Sequence, residues 1–139
     1  SYASGYIFTT ALPPALVSAA STSISYLKKS DKERKLQQKN TIILKNYLAK
    51  ENINFMDNKS HIVPVMVNNP VRCKEISNIL LNEFNHYIQP INYPTVPFGT
   101  ERLRVTPGPL HTEKMISDLT IALKYAFNIT GKNNYSKIA

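Results

Sequence analysis

Apolar residues recur at helical spacing in four stretches of the chain. Side chains three or four positions apart share one face of a helix, so each stretch predicts an amphipathic helix. The stretches are Pro14 to Lys29, Ser30 to about Glu51, Asn69 to about Asn85, and His111 or Thr112 onward. Residues expected to be buried are Leu36, Ile43, Leu44, Tyr47, Leu48, Ile76, Ile79, Leu80, Phe84, Met115, Ile116, Leu119, Leu123, Ala126 and Phe127.

Local signals place the starts of these helices. Pro14 follows another proline and suits a first helical turn. Ser30 and Glu33 have the spacing of a capping box, which predicts the start of the second helix. Asn69 followed by Pro70 gives an N-cap and a proline at the first position of the third helix.

Three short segments predict strands. They are His61–Val67, which is apolar and rich in β-branched residues, Tyr87–Ile91, and Arg102–Thr106, in which polar and apolar residues alternate as in a half-buried strand. Pro64 lacks an N–H group and therefore predicts an edge strand or a bulge. The order helix, helix, strand, helix, strand, strand, helix favours an α/β (α+β) fold with a small sheet and helices on one face.

The net charge of +8 favours anionic partners without identifying one. A lysine-rich stretch from Lys28 to Lys45 leaves open a basic module that binds nucleic acid or an acidic protein. A solvated helix face is the commoner explanation, and the stretch has few aromatic residues that could stack on bases. We therefore expect no nucleic-acid partner.

Other features restrict the class of protein. No apolar run approaches the roughly 20 residues that cross a bilayer, so we expect no membrane association. Cys73 is the single cysteine and excludes an internal disulfide; we interpret it as a small residue on a helix. The chain begins with Ser1, which predicts that it is part of a longer protein with any targeting sequence upstream.

Few residues suggest chemistry on their own. Arg102 and Arg104 lie two positions apart on a strand and therefore share a face, where one guanidinium could hold a carboxylate; an exposed charged face explains the spacing equally simply. The hydroxyls of Thr9, Thr10 and Thr95 could bind anions or only cap their own turns. The three histidines, His61, His86 and His111, lack metal-ligand spacing and are expected to be structural.

Several motifs in order resemble the 5-aminolevulinate synthase family, in the α-oxoamine synthase group of fold-type-I pyridoxal-phosphate (PLP) enzymes. The motifs are SYASGYIFTTALPPA at the start, SHIVPV at 60–65, INYPTVP at 91–97 and GTERLRVTPGPLHT at 99–112. The resemblance extends over nearly the whole chain. It implies the small C-terminal domain of such an enzyme, with a three-stranded, mainly antiparallel sheet. Segment 1–30 would be an interdomain segment and linking helix, and 31–139 the small domain.

The resemblance also implies roles for individual residues. Arg104 matches the arginine that binds the carboxylate of glycine, and Thr95 matches a threonine near the succinyl carboxylate. Thr9 and Thr10 match the pair that reaches the PLP phosphate across a homodimer interface. Three positions depart from the family pattern: Ala11, Phe98 and Gly108 stand where serine, arginine and serine are common.

The implied reaction condenses glycine with succinyl-CoA to give 5-aminolevulinate, CoA and carbon dioxide, the first step of haem and tetrapyrrole biosynthesis. The family's PLP-bearing lysine would precede Thr9, so we expect no catalytic residue in this chain and no activity from it alone. The resemblance implies location in the mitochondrial matrix, or in the cytoplasm of a bacterium. A sister α-oxoamine synthase that uses another acyl-CoA remains the alternative.

Overall fold

A computed structural model describes residues 12–131 of the chain, and within them the predicted order of elements is confirmed. The elements are α1 (Pro14–Lys29), α2 (Lys32–Lys50), β1 (Val63–Met66), α3 (Pro70–Phe84), β2 (Gln89–Ile91), β3 (Arg102–Val105) and α4 (Glu113–Thr130). No described helix is long and apolar enough to cross a membrane.

The chain divides into two compact units, with the boundary between Glu33 and Arg34. Helix α1 lies in the first unit and has no buried residue. At the end of this unit, the Ser30 hydroxyl donates to the Glu33 carboxylate (2.7 Å), so the two residues of the predicted capping box are in contact. Tyr26 donates a second hydrogen bond of 2.7 Å to Glu33. The hydrogen bonds from Tyr26 and Ser30 lower the pKa of the Glu33 carboxyl.

The second unit is built on a three-stranded antiparallel sheet with the order β1-β3-β2. Strand β1 is an edge strand, as Pro64 predicted. In the register, Val63 and Val65 of β1 lie opposite Val105 and Leu103 of β3. Because side chains alternate along a strand, these four residues share one face of the sheet. All four are buried, so this face is the one that the core covers.

The helices of the second unit cover that face with apolar side chains. Helices α3 and α4 start where their caps predict: the Asn69 side chain accepts from the N–H of Arg72, and the Thr112 side chain accepts from that of Met115. Helices α3 and α4 pack against each other, and α3 also contacts β2 and β3. The fully buried apolar residues that the three helices contribute are Leu44, Leu48, Cys73, Ile76, Leu80, Ala122, Leu123 and Ala126.

Two residues predicted to be buried are exposed. Leu36 is 37% exposed because α2 enters the core only at Asn40, its first buried residue, so the first two turns lie outside the core. Met115 is 53% exposed because it lines an open cavity of the second unit. Helical spacing gives the direction in which a side chain points, but not how far the neighbouring elements extend over it.

Candidate functional site

The outward face of strand β3 carries two arginines that differ in their surroundings. Arg104 lies between Pro64 of β1 and Gln89 of β2 and is exposed. Among residues 12–131, its guanidinium has no hydrogen-bond or ion-pair partner. Arg102 is half-buried, and its Nε donates to the Thr100 carbonyl at 2.8 Å. All the donors of the Arg104 guanidinium are therefore available to a ligand, whereas Arg102 uses its Nε within the protein.

Arg104 also lines a cavity of about 400 Å³ in the second unit. The apolar lining includes Leu44, Ile88, Val105, Ile116 and Leu119. Polar lining groups come from Asn85, His86, Tyr87, Gln89, Thr106 and His111. No other Arg, Lys, Asp or Glu of the described segment lines this cavity. A planar guanidinium without a protein partner can hold a carboxylate bidentately, and Arg104 carries the only positive charge among the described residues that line this cavity.

The turn that follows β3 is held by a buried amide. Asn40 of α2 donates from Nδ2 to the carbonyls of Gly108 (2.9 Å) and His111 (2.8 Å). The N–H of Gly108 in turn donates to His111 Nδ1 at 2.9 Å. His111 therefore has the structural role that was expected of it. These contacts fix the end of the strand that carries Arg104, and no sequence motif pointed to Asn40.

Thr95 lies in the loop of residues 92–101 that connects β2 with β3, and it does not line the cavity. The residue is exposed, and its backbone N–H donates to the Asn92 carbonyl at 3.0 Å. The Thr95 hydroxyl has no hydrogen-bond partner within the described part of the chain. The structure therefore presents two separate groups, a guanidinium on a strand and a hydroxyl on a loop, rather than one enclosed site.

Glu101 is a buried carboxylate that sequence reasoning missed. Its side chain is fully buried; Oε1 accepts from the N–H of Gly99 at 3.2 Å, and Oε2 has no partner among the described residues. The signal was available in the strand pattern, because Glu101 precedes β3 in phase with the inward residues Leu103 and Val105. Its contact with Gly99 ties down the end of the loop that carries Thr95.

Cys73 lies on α3 and is fully buried, as its interpretation as a small helical residue required. Burial, with a smaller contribution from the charge of Glu101, raises the pKa of the Cys73 thiol to about 11. A thiol with so high a pKa stays protonated near neutral pH and is a poor nucleophile. Within residues 12–131 no group of three His, Cys, Asp or Glu side chains is arranged to hold a metal ion.

The described residues do not form a complete site for PLP. This cofactor needs a lysine to carry it and donors for its phosphate. No lysine of the described segment lines the Arg104 cavity. Thr9 and Thr10, which the resemblance assigns to the phosphate, lie outside the described residues. No step of a PLP reaction is therefore derived from this geometry.

Curated relatives resemble this chain along most of its length. It is 51% identical to a 5-aminolevulinate synthase of Rickettsia bellii over 125 residues, which are 90% of this chain and 30% of the relative. The enzyme of Paracoccus denitrificans is 53% identical, over 88% of this chain and 31% of the relative. A relative from Candida albicans named 5-aminolevulinate synthase, mitochondrial, is 45% identical over 99% of this chain and 25% of the relative. The chain thus spans less than a third of these relatives.

Solved structures share the fold. A serine palmitoyltransferase from S. paucimobilis, solved with a bound PLP–myriocin adduct, matches with a TM-score of 0.81 at 27% identity, over 89% of this chain and 31% of that one. An 8-amino-7-oxononanoate synthase from Francisella tularensis matches with a TM-score of 0.76 at 22% identity, over 92% of this chain and 37% of that one. These matches agree with the predicted small domain of a fold-type-I PLP transferase.

A family model supplies the broadest assignment. The model described as aminotransferase class I and II matches residues 1–123. That match includes β3 with Arg104 and the loop with Thr95. The chain belongs to the aminotransferase class I and II family.

Proposed function

We propose that this chain is the C-terminal part of a 5-aminolevulinate synthase, in which it supplies substrate-binding groups. The whole enzyme would condense glycine with succinyl-CoA to 5-aminolevulinate, CoA and carbon dioxide. The observation that carries the proposal is the Arg104 guanidinium, exposed on the central strand and without a partner among residues 12–131. Identity of 45–53% to relatives named 5-aminolevulinate synthase supports the choice of reaction.

Arg104 would bind the carboxylate of glycine. Two parallel N–H···O bonds fix both the position and the rotation of a carboxylate, which a lysine does less well. The strand has paired neighbours on both sides, and Asn40 holds the turn that follows it. Glycine offers no side chain by which it could be oriented, so a rigid carboxylate clamp is the contact that can position its α-carbon for proton removal.

Thr95 would donate its free hydroxyl to the succinyl carboxylate. Leaving that carboxylate without a partner in a closed site would cost a few kcal/mol, enough to disfavour an acyl-CoA whose chain ends differently. PLP, when bound to the whole enzyme, supplies the stabilisation of negative charge at the α-carbon. Thr9 and Thr10 would contribute to its phosphate site across a homodimer interface, and the lysine that carries it would lie outside this chain.

The proposal assigns residues 1–30 to an interdomain segment and linking helix and residues 31–139 to the small domain. It also holds that these 139 residues alone are inactive. The relative from Candida albicans is named mitochondrial and the bacterial relatives are not. We accordingly propose the mitochondrial matrix as the location in a eukaryote and the cytoplasm in a bacterium.

Replacement of Arg104 in the whole protein tests the assignment. Arg104→Leu should raise the KM for glycine by at least about tenfold, because a charge-assisted bidentate contact of roughly 1.5–3 kcal/mol is lost. The KM for succinyl-CoA should change much less. Arg102→Leu is the matched control, since it removes the same charge two residues away without removing the clamp. Unchanged glycine kinetics in Arg104→Leu would refute the role of this arginine.

A sister α-oxoamine synthase is the second candidate, since serine palmitoyltransferase shares the fold with a TM-score of 0.81. This chain is 27% identical to that serine palmitoyltransferase, well below its 51% identity to the 5-aminolevulinate synthase of Rickettsia bellii. The two candidates are separated when the whole protein is given glycine or serine with succinyl-CoA or palmitoyl-CoA. Turnover of serine with palmitoyl-CoA, and none of glycine with succinyl-CoA, would favour the sister enzyme.

A further inference from the structure

In the loop of residues 92–101, Thr95 lies in sequence between two aromatic residues, Tyr93 and Phe98. Tyr93 and Phe98 stack on each other with their ring centroids 4.3 Å apart and an interplanar angle of 13°. Both rings are largely exposed, Tyr93 at 58% and Phe98 at 69%. Because the rings of residues 93 and 98 are in contact, the segment between them, which carries the exposed Thr95, forms a closed turn.

Hydrogen bonds fasten the two ends of this loop. At its start, Asn92 Nδ2 donates to the Pro70 carbonyl at 3.1 Å. At its end, the N–H of Gly99 donates to the buried carboxylate of Glu101. Gly99 has φ of +79°, a conformation that glycine adopts without steric cost. These contacts anchor the loop where it leaves and rejoins the sheet.

The middle of the loop is held by hydrogen bonds within the loop itself. The Thr95 and Val96 N–H groups both donate to the Asn92 carbonyl, and the Thr100 hydroxyl donates to the Pro97 carbonyl. Among residues 12–131, no side-chain hydrogen bond or ion pair joins the segment of the loop before Thr95 to the segment after it, whereas the aromatic stack does. An aromatic pair in this geometry stabilises beyond the area that it buries.

We propose that the Tyr93–Phe98 stack is a positioning element that holds the Thr95 hydroxyl ready for the carboxylate of the acyl-CoA. The stack thereby contributes to the choice of a carboxylate-terminated acyl chain over a neutral one. The inference rests on the proposed function and extends it to two residues that touch no reacting atom. A loop that is ordered before binding loses less conformational entropy on binding, so the stack raises affinity for the chain that Thr95 recognises.

The test compares succinyl-CoA with butanoyl-CoA, which has the same chain length and no terminal carboxylate. The whole enzyme is assayed as the parent protein and as Phe98→Ala, Phe98→Leu and Phe98→Tyr. Phe98→Ala and Phe98→Leu should each lower the preference for succinyl-CoA, as a ratio of kcat/KM values, by about two- to tenfold. The change should appear in the KM for succinyl-CoA, and the KM for glycine should stay the same.

Phe98→Tyr keeps a ring at position 98 and should restore the parent preference. Leu110→Ala is the control for truncation of an exposed apolar side chain, since Leu110 is 90% exposed and lies outside the loop. Calorimetric titration with succinyl-CoA gives the Kd without turnover, and this Kd should be higher for Phe98→Ala and Phe98→Leu than for the parent protein. A merely structural role for the ring would lower Tm and both acyl-CoA activities together, without changing their ratio.

The outcomes separate this inference from the proposed function. If the parent enzyme condenses glycine with succinyl-CoA but Phe98→Ala and Phe98→Leu keep the parent preference, the inference is wrong and the proposed function stands. If Phe98→Tyr behaves like Phe98→Ala, the ring stack is not the cause and the inference is also wrong. If the parent enzyme condenses glycine with succinyl-CoA but shows no preference over butanoyl-CoA, the role of Thr95 and the inference are wrong while the proposed reaction stands. If it does not condense glycine with succinyl-CoA at all, the proposed function is wrong and the inference with it.

Discussion

The two faces of strand β3 differ in burial and in the contacts of their side chains. Leu103 and Val105 point inward and are 0% and 3% exposed, in the same phase as the fully buried Glu101. Arg104 points outward and makes no hydrogen bond or ion pair within the described segment. The inward side chains stabilise the fold, whereas the outward guanidinium is the group that we propose binds the glycine carboxylate. Stability and binding are therefore separable by single substitutions on one strand.

The largest expected effect comes from the inward face. Leu103→Ala removes a fully buried side chain from the central strand and should lower the free energy of unfolding by about 2–5 kcal/mol. Arg104→Ala, one position along, should change it by less than about 0.5 kcal/mol, because an exposed side chain without partners contributes little. Urea unfolding of the two variants measures both values. Similar losses in the two variants would contradict the division between the faces.

The second largest effect on the free energy of unfolding is expected at Asn40, which holds the turn after β3. Asn40→Asp replaces the amide that donates to the Gly108 and His111 carbonyls with a carboxylate that cannot donate. Unfolding free energy should fall by at least about 2 kcal/mol at neutral pH, because a buried anion then faces two carbonyl oxygens. Asn46→Asp is the matched control, since Asn46 lies on the same helix and is exposed. Equal stability of the two variants would show that Asn40 does not hold this turn.

A surface ion pair gives the smallest effect. Lys45 Nζ lies 2.9 Å from Asp57 Oδ1, and the hydrogen bond and charge of Lys45 lower the pKa of the Asp57 carboxyl from 3.8. The pKa of Asp57 is lower in the folded state than in the unfolded state. The ion pair therefore stabilises the fold above the unfolded-state pKa, and this stabilisation is lost as the pH falls through the folded-state pKa. Asp57→Asn should therefore be slightly less stable than the parent at pH 7 and equal to it at pH 2. Thermal unfolding at both pH values measures the difference, and a difference that persists at pH 2 would contradict its electrostatic origin.

Many helix and strand positions of this fold could be predicted from short sequence patterns. Asn69 followed by Pro70 predicted the start of α3, and the structure has Asn69 accepting from the Arg72 N–H group. The alternation in Arg102–Thr106 predicted which residues of β3 are buried, and Pro64 predicted an edge strand. These patterns involve only two to four neighbouring residues, so they can be recognised in the sequence without the tertiary structure.

The features missed from the sequence depend on contacts between distant residues. Asn40 meets Gly108 and His111 across about 70 positions, and nothing near Asn40 indicates that pairing. The cavity beside Arg104 exists only once α2, α4 and β3 are assembled. The roles of Arg104 and Thr95 came from family resemblance, because two arginines on a strand are equally compatible with an exposed charged face.

The most direct test of the central claim is a crystal structure of the whole protein with glycine bound. The account predicts that both oxygens of the glycine carboxylate lie within hydrogen-bonding distance of the Arg104 guanidinium, at about 2.7–2.9 Å. A glycine carboxylate held by other residues, with Arg104 directed into solvent in the assembled enzyme, would contradict it.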